Sequence, residues 1–136
     1  MKEYVLDANA LVRFFRKTEG ASTVIGLVEQ SKLGRAHLSI SVANLGEVYY
    51  ILAKYLGEEQ AMRHIEISRA VMEVVPIDGQ TALRSAAIRY HYKLSFADCF
   101  AAELAMRKGA ALVTADPEFA RLGKRLKVLA LPRHKS

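Results

Sequence analysis

The chain has 136 residues, 51% hydrophobic and 25% charged, with twenty basic against fourteen acidic side chains, a formal net charge of +6 and a pI of about 9.6. That is the balance of one globular domain spanning residues 1–136, neither disordered nor membrane-spanning, and its basic excess favours an acidic partner such as nucleic acid or an acidic protein. The single cysteine, Cys99, excludes an internal disulfide and a thiolate zinc cluster, and the four histidines have no spacing that pairs them on one helix face.

Tyr4-Val5-Leu6 is a short apolar strand that stops at Asp7. Asn9 then leads into a helix over residues 10–17, with Leu11, Phe14 and Phe15 apolar and Arg13, Arg16 and Lys17 basic. A second helix through Val24, Leu27 and Val28 stops near Gly34, and residues 37–40 form a strand before Ser41, which is placed to cap the next helix. The helix over residues 42–56 is apolar on nearly every face, the pattern of a buried helix, with Val42, Leu45, Tyr49, Leu52 and Leu56 as its densest stripe. Glu47 interrupts it. That carboxylate, next to Asn44 three residues earlier, reads either as a solvated face or as a group that needs a cation or donors to stay charged. Gly46 beside it costs about 1 kcal/mol relative to alanine in mid-helix, a cost that close backbone approach would explain.

Gly57 ends that helix and Glu58-Glu59 begins another, to residue 72. Val74, Val75 and Ile77 form a strand whose Pro76 marks an outer position or the strand's end. Asp78 reads as the N-cap of a helix over residues 79–92, which finishes in Arg89-Tyr90-His91-Tyr92-Lys93. This interleaving of bases and rings suits a plain helix end and equally suits stacking on unpaired RNA bases. Ser95-Phe96-Ala97-Asp98 is a capping box, and a carboxylate in that first turn also points back to the edge where the strands finish. A strand over residues 111–113 runs on to Thr114, Asp116-Pro117 restarts a short helix to residue 122, and residues 128–130 give the last strand before a loose basic tail at 133–136. Apolar runs fall short of the ~20 residues of a spanning helix and Asp7 interrupts the place of a signal peptide, so the expected location is cytoplasmic.

Alternating strands and helices predict a three-layer α/β/α fold with a largely parallel sheet. Glycine-rich phosphate loops are absent from the sequence, which argues against dinucleotide and P-loop chemistry. Asp7 and Asp116 fall at the carboxyl edge of such a sheet, where open α/β folds bind ligands, and Glu47 and Asp98 lie on helices that reach the same edge. Each has a structural reading of its own, Asp116 as an N-cap before proline and Asp98 in its capping box. Their coincidence is the signal. Four crowded carboxylates repel unless a cation neutralises them, and an all-oxygen set suits Mg²⁺ or Mn²⁺.

Leu6-Asp7-Ala8-Asn9-Ala10-Leu11, Asn44-Leu45-Gly46-Glu47, Ser95-Phe96-Ala97-Asp98 and Thr114-Ala115-Asp116-Pro117-Glu118-Phe119, in that order, resemble the PIN domain, and in particular the short VapC-type toxins of prokaryotic toxin–antitoxin pairs. The resemblance implies a PIN-like fold and a Mg²⁺- or Mn²⁺-dependent endoribonuclease acting on RNA. It makes Asp7, Glu47, Asp98 and Asp116 the catalytic and metal-binding quartet and Asn9 and Thr114 polar supports. It also implies an antitoxin that inhibits by filling the groove, and a homodimer, for which the helix over residues 42–56 offers a surface. Arg13, Arg16 and Lys17, near the first strand–helix junction, are the bases placed to hold flanking phosphates of the RNA. Two other readings stay open. One is a PIN-like subunit that binds RNA or protein without cutting; the other, a phosphohydrolase of small esters, is disfavoured because Asn9 stands where a second acid would follow the first.

Overall fold

In a computed structural model the chain is described over residues 1–132, and the expected basic tail at 133–136 lies outside the described residues. Five strands, β1 (Lys2–Leu6), β2 (Ala36–Ser41), β3 (Glu73–Val75), β4 (Ala111–Thr114) and β5 (Lys127–Ala130), form one all-parallel sheet in the order β3-β2-β1-β4-β5. Around it lie α1 (Ala8–Arg16), α2 (Ala21–Lys32), α3 (Val42–Leu56), α4 (Glu58–Val71), α5 (Gly79–Tyr92), α6 (Phe96–Lys108) and a 3-10 segment, Pro117–Arg125.

The period-2 alternation of a strand divides the core in two. Leu6, Leu38, Ile40 and Val113 face α1 to α4, whereas their neighbours Val5, Leu112 and Val75 face α5, α6 and the 3-10 segment. Removing each such side chain from water stabilises the fold by about 1.5–3 kcal/mol. On the second face, Ala101, Ala102 and Ala105 let α6 lie close to the sheet. β1 is central, with β2 on one side and β4 on the other, so the connections diverge from it. The crevice at the carboxyl ends of β1 and β4 is therefore the switch point of the sheet, the place where open α/β folds leave room for a ligand.

Several sequence expectations change in detail. α1 begins two residues before the expected start because Asp7 caps it, and Lys17 ends it in the left-handed region at φ 55°. α3 is not buried all round. Asn44, Leu45, Val48 and Leu52 are its buried stripe, while Val42 and Leu56 of the expected one are exposed, as are Tyr50 and Tyr55. The reason is layer geometry: a helix packed on one side of a single sheet buries one stripe, however apolar its outer face. β3 is an edge strand that stops before Pro76, so Ile77 lies outside it. Beyond Pro117 the chain runs as a 3-10 segment, kinked at Gly123, to Arg125 rather than as a short helix to Leu122. Gly46 is exposed, and a Cβ added there would meet nothing within 4 Å, so no contact within the described residues accounts for it.

Candidate metal centre

The register of the sheet builds the site. β1 and β4 run side by side with Leu6 opposite Val113, which brings the next residues, Asp7 and Thr114, together at the strand ends. Asp7 caps α1, its Oδ1 accepting from the Ala10 N–H at 2.8 Å, while its Oδ2 accepts from the Thr114 hydroxyl. The same hydroxyl oxygen accepts from the Asp116 N–H at 3.0 Å, so Thr114 links the two strand-end acids. Asp116 in turn caps the 3-10 segment, accepting from the Glu118 N–H at 2.9 Å with Pro117 at the first position. Asp98 enters from the first turn of α6, its N–H donating to the Ser95 hydroxyl at 3.2 Å, the expected half of a capping box. Glu47 comes from α3. Its Oε1 accepts from Asn44 Nδ2 at 2.9 Å, and that amide nitrogen also donates to the Ala97 carbonyl at 3.0 Å, one residue before Asp98.

All four acids of the sequence-derived quartet line one cleft of about 360 Å³, with Asn9 and Arg13 on its wall. Burial pushes the Asp7 carboxyl up to about 6, against the lowering effect of its bonds to Thr114 and Ala10, and the charges of Asp98 and Asp116 push it further in the same direction. Asp98 is also raised, first by burial and then by Asp116, Glu47 and Glu118, with the Ser95 bond opposing. Buried carboxylates that repel one another are held charged only by compensation, and Arg13, the one basic side chain lining this cleft among the described residues, donates to two backbone carbonyls. One oxygen each from Asp98, Asp116 and Glu118 lies within 4.8 Å of the others, an all-oxygen donor set that fits a hard divalent cation.

Not every expected residue gathers here. Thr114 bonds to Asp7, but Asn9 lines the cleft without a hydrogen bond to any carboxylate among the described residues. Of the three bases, only Arg13 lines the cleft, its guanidinium donating to the carbonyls of Glu19 and Pro132. Arg16 lies over the Tyr55 ring at 3.7 Å and borders a neighbouring groove, and Lys17 is at the exposed end of α1. Two residues escaped the sequence reading. Glu118 is two positions beyond Asp116, in the first turn of the 3-10 segment, and that spacing is the signal that could have found it. Asn44 was legible only as a neighbour of Glu47; its bond to Ala97 spans two helices far apart in sequence. Asp78 caps α5 as expected, accepting from the Thr81 N–H at 2.8 Å, and stays out of the cleft.

A family model described as the PIN domain matches residues 4–125. Three solved structures are similar over nearly the whole chain. VapBC2 from Rickettsia felis, bound to a fragment of its promoter DNA, has a TM-score of 0.76 at 20% identity, covering 96% of this chain and 99% of that one. DNA-bound VapBC from Salmonella typhimurium gives 0.73 at 23% identity, with 96% and 98% covered. VapC20 from Mycobacterium tuberculosis, a toxin that cleaves the sarcin-ricin loop, gives 0.73 at 16% identity, with 95% and 99% covered. No curated protein matches the sequence.

Proposed function

The chain belongs to the PIN domain family, and from that premise we propose that it is a metal-dependent endoribonuclease, the toxin of a VapBC-type pair. The observation that carries the reading is the convergence of Asp7, Glu47, Asp98 and Asp116, from four separate elements, on one cleft at the switch point of the sheet. Helix capping accounts for Asp7 and Asp116 one at a time; it does not account for Glu47, which caps nothing and is turned into the cleft from mid-helix.

In this reading Asp98, Asp116 and Glu118, with Asp7 and Glu47 beside them, hold Mg²⁺ or Mn²⁺. A divalent ion bound there would offset charge on a phosphodiester and make a bound water more acidic. The protein's own groups do the rest. Thr114 fixes the Asp7 carboxylate by donating to Oδ2, and Asn44 fixes Glu47 by donating to Oε1. The Arg13 guanidinium, pinned by two backbone carbonyls, keeps a positive charge on the cleft wall where a non-bridging phosphate oxygen would lie. A basic chain around an acidic pocket draws in a polyanion and leaves the cutting to the one place where its charge is met by a cation. The similar VapBC complexes support a cognate antitoxin as protein partner, and the exposed Val42, Tyr50 and Tyr55 of α3 give a homodimer a surface. No helix among the described residues is long and apolar enough to cross a membrane, which is compatible with a cytoplasmic site of action.

The test is incubation of the purified chain with labelled RNA in Mg²⁺ or Mn²⁺ and in excess chelator, beside folded Asp7→Asn and Asp98→Asn variants. Metal-dependent fragments that disappear in both variants are the expected result. Equal behaviour of all three proteins, with no heat of metal binding, would leave a PIN-like binding subunit whose acids are structural.

A further inference from the structure

Beside the acid cleft, the turn between α5 and α6 carries exposed rings and positive charges, of which Arg89 also holds the turn by donating to the Leu94 carbonyl at 2.7 Å. Tyr90 is 81% exposed and Phe96 50% exposed, large apolar surfaces to leave in water at adjoining helix ends. Arg89 lies over the Phe96 ring at 5.1 Å and Arg125 over the Tyr92 ring at 5.9 Å. One step along the chain and one line of contact tie this surface to the acids. Phe96 stands two residues before Asp98 on α6. On the other side, Arg121 pairs with Glu118 at 3.4 Å and donates to the Lys93 carbonyl at 3.1 Å, so it joins the acid cluster to the turn. Arg89, Lys93, Arg121 and Arg125 are all exposed, and Glu118 is the one carboxylate paired with any of them among the described residues.

The geometry points to a binding ledge for single-stranded RNA: bases flanking the cleaved phosphate stack on Phe96 and Tyr90 while Arg89, Lys93, Arg121 and Arg125 meet the backbone. The inference rests on the nucleic-acid reading of the cleft and adds the conformation of the substrate. Exposed rings interleaved with guanidinium groups are the platform on which unpaired bases stack, and bases held in a duplex cannot reach it. A protein partner that recognised the ledge by charge alone would leave the rings unexplained. The ledge therefore selects unpaired strands and feeds them to the acids.

Fluorescence anisotropy with a labelled single-stranded oligoribonucleotide in chelator, where the strand stays whole, tests this without cleavage. Tyr90→Ala and Phe96→Ala are each expected to weaken binding by about tenfold, a single stacked base by alanine substitution. Arg125→Ala is expected to flatten the salt dependence by about 0.7 in the log–log slope, one phosphate contact. Leu83→Ala, on the same helix and 73% exposed, is the control that leaves affinity unchanged. A duplex of the same sequence is expected to bind at least tenfold more weakly than the single strand. Wild-type affinity in both ring variants, or equal binding of duplex and single strand, overturns the ledge. So does a loss that tracks only with dissociation of a dimer in sedimentation. Metal-dependent cleavage with unchanged affinities in the ring variants sinks the ledge alone. Loss of stacking in a chain that never cleaves RNA sinks the nuclease reading alone.

Discussion

Asp7 is worse placed in the fold than in the unfolded chain. Its ordinary pKa of 3.8 rises to about 6 on burial, so the native state binds the extra proton and stability falls as pH rises through that window. Below 3.8 the penalty is absent; above 6 it is complete, about 3 kcal/mol at ~1.4 kcal/mol per unit. Asp7→Asn keeps an N-cap residue and removes the charge. In chelator at pH 7.5 this variant is expected to be more stable than wild type by up to about 3 kcal/mol, with the gap closing near pH 4, in denaturant unfolding across that range. A wild type that remains the more stable at pH 7.5 would mean that the buried carboxylate is compensated by the protein itself. Thr114→Val removes the donor that opposes the shift and moves the pH midpoint of metal binding upward, readable by Mn²⁺ titration at several pH values. Asn44 is 1% exposed, and Asn44→Ala leaves Glu47 and the Ala97 carbonyl without their donor, costing about 1–3 kcal/mol. If it acts through Glu47, the same change in a Glu47→Gln background has no further effect on Mn²⁺ affinity.

Elements were more legible than their faces. The strands, the order of helices and the caps at Asp78, Ser95 and Asp116 follow from short-range chemistry, so sequence reading reaches them. The same holds for the gathering of Asp7, Asp98 and Asp116, because strand ends and first helical turns meet at one edge of a parallel sheet, whereas Glu47 reaches it from mid-helix. What did not show was anything set by packing between distant segments: which stripe of α3 is inward, the Asn44 bridge to α6, the diversion of Arg16 onto Tyr55. Gly46 is a case where the sequence pointed to crowding and the fold has open space. Gly46→Ala is therefore expected to stabilise α3 by about 0.5–1 kcal/mol in thermal or denaturant unfolding. A loss of RNA or protein binding in that more stable variant would show that the glycine keeps the flank of Glu47 clear for a partner. The α5–α6 pair has its own asymmetry. Glu103 is 4% exposed and accepts from both Arg84 and Arg107, whose side chains are 47% and 39% exposed. Replacing both arginines by methionine strands a buried charge and is expected to cost about 3–5 kcal/mol. Replacing Glu103 by glutamine frees two cations that water can reach, and costs less.

At the scale of the whole molecule, elements from the two sides of the sheet come together at its carboxyl edge, where the acids lie and where Asn44 of α3 bonds to the Ala97 carbonyl of α6. Asp7 caps α1 and Glu47 lies on α3 on one face; Asp98 lies on α6, Asp116 caps the 3-10 segment and Glu118 lies on it, on the other. Their mutual repulsion is a wedge between the faces. An ion that bound them all would turn this repulsion into a clasp, and it would bind the folded chain far better than the unfolded one, where the acids are dispersed. Such binding stabilises by mass action, about 2.7 kcal/mol at a free concentration one hundred times the dissociation constant. The expected outcome is a melting temperature that climbs with added Mn²⁺ at pH 7.5. At pH 5 the climb is much smaller, because the Asp7 carboxyl, raised to about 6, then holds a proton that the ion must displace. Asp98→Asn shows little climb at either pH. A melting temperature indifferent to Mn²⁺ at pH 7.5 would mean that the faces are held by their apolar contacts alone and that the acids tolerate one another without a cation.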